Sequence, residues 1–320
     1  MDQEIGGYFG LELLNAKTFL HADGYCVNSG RNALELILTL IPNLTKLWIP
    51  YFTCEVVLEP LKRLRIPYSF YSVNQRLEIA DNLVLRAGEY VLLTNYFGIK
   101  DHYITTLAKK YGERLIVDNA QAYYSRPLPG IKTFYSPRKF VGVPDGGIAF
   151  ISKEIDMAQY PLDNSWDRCS HLLKRVDLGA SGGYADFKSN SHALIEQPIR
   201  RMSRLTTKLL RSIDFEQIKD ARLRNFTFLH EQLGSTNILP IDGIGRDFIC
   251  PMVYPYYTDD ETLRKRLIED KIFVATYWPN VLEWCSADST EYRLARYVVP
   301  IPVDQRYREK DMELIIDKMR

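Results

Sequence analysis

Four short stretches hold residues whose types could act together in one reaction. The first is Asn28-Ser29-Gly30-Arg31-Asn32-Ala33-Leu34, where a Ser-Gly pair opens an apolar-periodic segment. Such a pair caps a helix, and the backbone N–H groups at a helix start also attract anions. The second is Val117-Asp118-Asn119-Ala120-Gln121, an acidic residue directly after a buried apolar run. Asp118 either caps the next turn or faces a ligand, and a buried carboxylate needs a cationic or multiply hydrogen-bonded partner. A protonated pyridine nitrogen is one such partner. The third is Ser136-Pro137-Arg138-Lys139, with Phe134, Tyr135, Phe140 and Val141 around it. A lysine there is a surface residue or, if desolvated, a Schiff-base former, because desolvation lowers its pKa and frees its lone pair. The fourth is Asp145-Gly146-Gly147, either a plain turn or glycines that let backbone pass close to Lys139.

The order of the four narrows the reading. A Ser-Gly helix start is followed about 90 residues later by a strand-end Asp, then by a Lys about 20 residues on, then by Gly-Gly seven and eight residues beyond that Lys. This order resembles fold-type I pyridoxal-phosphate enzymes, and in detail the DegT/DnrJ/StrS family of sugar aminotransferases. The matching stretches are NSGRNAL, IPYFTCEVV, IVDNAQA and SPRKFVGVPDGGIAF, within residues 25–152. The resemblance implies a large domain with a mainly parallel sheet between helices, over 15–230, and a smaller C-terminal α+β domain over 231–320. Segment 1–14 would pack nearby. It implies pyridoxal 5'-phosphate (PLP) held covalently by Lys139, which would also shuttle the substrate proton. Asp118 would keep the pyridine nitrogen protonated, and Gln121 would reach the phenolic oxygen. Ser29, Gly30, Arg31 and Ser136 would surround the phosphate.

The implied reaction moves an amino group, from glutamate, to a keto group on a nucleotide-linked sugar for surface polysaccharide or related glycan biosynthesis, in a homodimer. Three positions depart from the family pattern. The usual SGT is SGR, so Arg31 replaces a hydroxyl. The hydroxyl five residues before the lysine is Phe134, leaving Ser136 as its nearest substitute. The ring-stacking aromatic falls on Cys54, leaving Tyr51, Phe52 or Tyr96 to stack. Two alternatives keep the fold: a PLP-dependent sugar dehydratase, whose relatives carry His where Lys139 stands, and a PLP-fold binding protein without turnover.

The elements that must position these residues are legible from periodicity. Helices are expected over 29–41, 55–64 and 101–111, the last capped by Asp101. Strands are expected over 46–49, 66–71, 90–93, 115–117 and 148–151. Alternation of this kind makes a mainly parallel sheet, with ligands beyond the carboxyl ends of its strands. Neither G-x-G-x-x-G nor a P-loop is present. Residues 192–233 read as basic helices broken at Pro198. Beyond them come strands at 248–254, 272–275 and 297–301, a capping box at Thr258–Glu261 opening a helix to Glu269, and a terminal helix over 308–319.

Composition excludes other classes. The chain has 320 residues, 46% hydrophobic and 25% charged, with 41 Lys+Arg against 40 Asp+Glu. That is globular and near-neutral, a poor balance for a nucleic-acid binder. The run Arg200, Arg201, Arg204, Lys208, Arg211 then reads as a solvated or interface face. No apolar run reaches the ~20 residues of a membrane span. The acidic start, Met1 to Glu4, is unlike a signal peptide. Five scattered cysteines (Cys26, Cys54, Cys169, Cys250, Cys285) without C-x-x-C suggest a reducing, cytoplasmic setting, and the five histidines lack ligand spacing, so no metal is expected.

Overall fold

The computed structural model describes residues 5–14, 16–244 and 246–320; the acidic start at 1–4 lies outside them. The first half alternates β1 (Tyr25–Val27), α1 (Gly30–Thr39), β2 (Lys46–Pro50), α2 (Leu58–Arg63), β3 (Tyr68–Tyr71), β4 (Glu89–Thr94), α3 (Asp101–Tyr111), β5 (Leu115–Asn119), β6 (Lys132–Tyr135) and β7 (Gly147–Phe150). These strands form one sheet in the order β1-β7-β6-β5-β4-β2-β3. The run from β6 to β3 is parallel throughout, and β7 pairs antiparallel with both β6 and β1.

Side-chain alternation explains why both faces are covered. In β4 and β5, Leu92 and Ile116 point to one face, where they meet Ala33, Leu34 and Ile37 of α1. Val91, Leu93, Leu115 and Val117 point to the other, against Ile104 and Leu107 of α3. Every residue of β5 is buried, as expected for an inner strand with helices on both sides. Its last two buried residues, Asp118 and Asn119, are polar and lie at the sheet's carboxyl edge.

The second half adds α4 (Ser170–Ala193), α5 (Arg204–Arg211), α6 (Phe215–Leu233), β8 (Val253–Tyr257), α7 (Leu263–Glu269), α8 (Pro279–Trp284), α9 (Thr290–Tyr297), β9 (Val298–Pro302) and α10 (Glu309–Met319). Strands β8 and β9 form an antiparallel pair. Helix α6 runs through position 230, the expected boundary. Its Phe226, Leu229 and Leu233 share one core with Leu93 and Val117 of the large sheet and with Tyr254 and Met312 of the C-terminal unit. Of segment 1–14, residues 5–14 form neither helix nor strand and are largely exposed.

Several local expectations need correction. Asp101 is the first residue of α3 and caps nothing with its side chain; its carboxylate instead accepts from Asn95, Ser125 and the Ile249 N–H. Residues 272–275 form no strand. Thr258–Glu261 is a turn ahead of α7, with Thr258 Oγ1 accepting from the Asp260 N–H at 3.2 Å. Helix α4 was not foreseen. It breaks at Gly179 (φ 74°, ψ −171°). Lys174 Nζ reaches Asp186 at 2.8 Å, although twelve residues of straight helix would span roughly 18 Å, so α4 is a folded-back hairpin. Arg200 and Arg201 are partly taken up inside the fold, by Asp163 at 3.4 Å and by the Tyr160 carbonyl at 2.9 Å. Among the described residues no helix is long and apolar enough to cross a membrane.

Candidate active site

The carboxyl ends of β2, β4 and β5, the start of α1 and the turn after β6 surround one open cleft. Its cavity volume is about 150 Å³. The cleft brings together all of the expected site residues: Ser29, Gly30, Arg31, Asp118, Gln121, Ser136 and Lys139.

Asp118 is placed by the inner strand β5 and is 7% exposed. Its Oδ1 accepts the Ala120 N–H at 2.8 Å, so it caps the following turn and lines the cleft at once. Burial pushes its pKa up, while Lys139 and the Ala120 N–H pull the other way. A carboxylate held in this manner stands to gain from a cationic partner.

Gln121 is oriented by a neighbouring turn. Phe97 has positive φ (56°), and the carbonyl of Gln121 packs against Gly98, where a Cβ would approach to 2.9 Å. The Phe97 N–H donates to Gln121 Oε1 at 2.9 Å. That fixes the amide, and Nε2 is left buried in the cleft wall without a partner. An orphaned donor at this point is suited to a ligand oxygen. Thr94 Oγ1, at the end of β4, is a second orphaned group on the same wall.

Lys139 ends a short 3-10 turn, Pro137–Lys139, begun by proline. The apolar neighbours do not bury it: Lys139 is exposed to the open cleft, so the desolvation expected from its sequence neighbours is absent. Among the described residues its Nζ forms no ion pair or hydrogen bond. Cys54 lies on the same wall, and burial raises its thiol pKa despite Lys139.

The glycines create a close approach. Strand β7 meets the start of α1 through the Ser29–Gly146 bridge, and Gly146 has φ +114°. A Cβ on Gly147 would stand 2.0 Å from the Ser29 carbonyl oxygen. The Gly147→Ala protein is therefore expected to lose about 3 kcal/mol of stability together with ligand affinity, measured by denaturant unfolding and by PLP titration. Asp145 before them is wholly buried, 2.6 Å from Arg168 and bonded to Thr206 Oγ1, and serves the fold.

At the helix start the expected groups divide their roles. Ser29 Oγ accepts from the Asn32 N–H at 3.1 Å and donates to Asn32 Oδ1 at 2.5 Å, so its hydroxyl serves the cap. Arg31 donates to Glu59 at 3.0 Å and to the Leu194 carbonyl at 2.9 Å. The three aromatics suggested for stacking do not line the cleft. Phe52 and Tyr96 pack on each other at 5.3 Å, and Tyr51 stacks on Phe70 at 4.6 Å. Trp278 and Phe134 supply the aromatic wall instead. Trp278 and Thr94 escape a reading by motif: Trp278 comes from the distant C-terminal unit, and Thr94 is a common residue type in no recognised pattern. Arg138 lies inside a matching stretch that assigns it no role.

No family profile matches the chain, and no curated protein sequence matches it. Solved structures do. S. venezuelae DesV, in complex with a ketimine intermediate, superposes with a TM-score of 0.64 at 16% identity, covering 93% of this chain and 84% of that one. The chain shares that fold. CalS13, a sugar aminotransferase from Micromonospora echinospora, gives 0.64 at 15% identity over 93% and 87% of the two chains. The putative sugar aminotransferase Spr1654 from Streptococcus pneumoniae, in its PMP form, gives 0.63 at 12% over 97% and 92%. The fold-type I class expected from the residue order is thus the class observed.

Proposed function

We propose that the chain is a PLP-dependent aminotransferase that moves an amino group, from glutamate, to the keto group of a nucleotide-linked sugar used in glycan biosynthesis. One observation carries the reading. Lys139, with an unpartnered amine, faces the same cleft as a buried Asp118 carboxylate and an orphaned Gln121 amide. The residues fit the cofactor: a carboxylate for the pyridinium, a free amine for the aldehyde, a donor for the phenolic oxygen and a helix start for the phosphate. The superposed sugar aminotransferases support the same class, and DesI, solved in the presence of its TDP-sugar product, supports a nucleotide sugar.

When bound, PLP supplies an electron sink for the carbanion at the substrate carbon. Asp118 holds the proton at the pyridine nitrogen, which deepens that sink. Gln121 Nε2 would donate to the phenolic oxygen. Lys139 Nζ would carry the proton released by the amino donor's carbon across to the cofactor's carbon, and its exposure in the cleft leaves it free to reach both. Trp278 and Phe134 shield the reacting atoms from water.

A homodimer is part of the proposal. The α4 hairpin leaves Leu173, Val176, Leu178 and Tyr184 more than 60% or close to 60% exposed, an apolar face suited to a second copy. The five free cysteines support a reducing compartment.

The test is a pair of half-reactions. Glutamate added to PLP-loaded protein should convert the visible band to the pyridoxamine form, and a nucleotide-linked keto sugar should restore it. Loss of oxygen from the sugar without restoration would favour a dehydratase, and a band indifferent to every amino donor would favour a binding protein.

A further inference from the structure

A cofactor phosphate at the α1 start needs a cation, and Arg31 is the one that the sequence puts there. The geometry gives the part to another residue. Arg31 is held by Glu59 at 3.0 Å, a carboxylate it shares with Arg63, and is tied to the Leu194 carbonyl. Arg138 lines the same end of the cleft, with Gly30, Ser136 and Gly146. The two loops press together there, since a Cβ on Gly30 would stand 3.2 Å from Ser136 Cβ.

Arg138, like Lys139, is a cleft cation that no carboxylate pairs with among the described residues. Its contacts are the Ser191 hydroxyl at 3.3 Å and the Phe187 ring at 5.8 Å. The buried carboxylate whose charge Arg138 feels, Asp145, is bonded to Arg168. Burial lowers the Arg138 pKa to about 10, with Arg31 and Arg168 adding to the effect and Asp145 opposing it. A half-buried guanidinium among other cations gains from an anion that joins it, and its planar fork matches phosphate oxygens.

We propose that Arg138, and not Arg31, is the side chain that binds the cofactor phosphate, beside the backbone of Gly30 and the Ser136 hydroxyl. The inference rests on the PLP reading above. It assigns the donor lost with the family's hydroxyls to the residue just before the catalytic lysine. One turn of backbone, Ser136–Lys139, then serves both the aldehyde and the phosphate of the cofactor.

The test compares PLP with pyridoxal, which lacks the phosphate, by equilibrium titration of the apoprotein. Arg138→Met should weaken PLP binding about 10- to 100-fold and pyridoxal binding less than about 2-fold. Arg138→Lys should fall between, because charge remains and the fork is lost. Inorganic phosphate should compete with PLP in the wild type and much less in Arg138→Met. Equal weakening of both ligands would make Arg138 structural and overturn the proposal. Unchanged PLP affinity with a raised KM for the amino donor would make it a substrate-carboxylate site, and would also overturn it. Failure of the wild type to bind PLP at all would instead remove the cofactor reading itself.

Discussion

Lys139→Ala protein is expected to fold as the wild type does and to transfer amino groups more slowly by a factor of about 100 to 10,000, the range of a lost proton-transfer group. Folding should survive because the Lys139 side chain is exposed and its amine makes no ion pair among the described residues. Surface substitutions of that kind change stability by about 0.5 kcal/mol or less. The two effects are separated by thermal unfolding of the apoprotein beside single-turnover kinetics with glutamate. A small added amine should restore part of the rate, since the missing group is a base and not a packing element. A large drop in apoprotein stability would mean instead that Lys139 belongs to the fold.

Asp118→Asn is expected to separate stability from function. Burial raises the Asp118 pKa in the folded protein above its ordinary value of 3.8. The folded state therefore holds that proton more tightly than the unfolded chain does. Stability falls as pH rises from the ordinary carboxylate range through the raised folded pKa, and it stays lower at neutral pH. An asparagine keeps an oxygen for the Ala120 N–H and carries no charge. The apoprotein of Asp118→Asn should thus melt higher than wild type at neutral pH, with the gap closing towards pH 4. PLP should reverse the order, because only the carboxylate stabilises a protonated pyridine nitrogen. Turnover should fall about 100-fold, in the range for removal of a preorganised electrostatic partner. Melting curves with and without PLP across pH check both signs. A lower melting temperature for the apo variant would show that the carboxylate stabilises the empty site.

The parts legible in the sequence were those governed by local rules. The apolar periodicity of α1, the Ser29 cap and the inner strand β5 each follow from a few neighbouring residues. Residues near the ends of such elements are carried to predictable places, which is why Asp118, Gln121 and Lys139 meet in one cleft. What escaped depends on distance in the chain. Asp101 has the right type for a helix cap, yet Asn95, Ser125 and Ile249 draw its carboxylate elsewhere. Helix α4 has weak periodicity and a break at Gly179, so neither half stands out as a helix. Arg31 sits at the right sequence position for a phosphate, but Glu59, 28 residues away, takes its charge. Arg138 looks like a surface residue until the fold places it at the cleft with no counter-ion among the described residues.

The central claim is that the amine of Lys139 is where PLP is held. Borohydride reduction of the PLP-loaded protein, followed by peptide mass spectrometry, tests it directly. The mass of a reduced phosphopyridoxyl group should appear on the peptide containing Lys139, at close to one per chain, and nowhere else in comparable yield. Modification spread over surface lysines, with the Lys139 peptide unlabelled, would contradict the account.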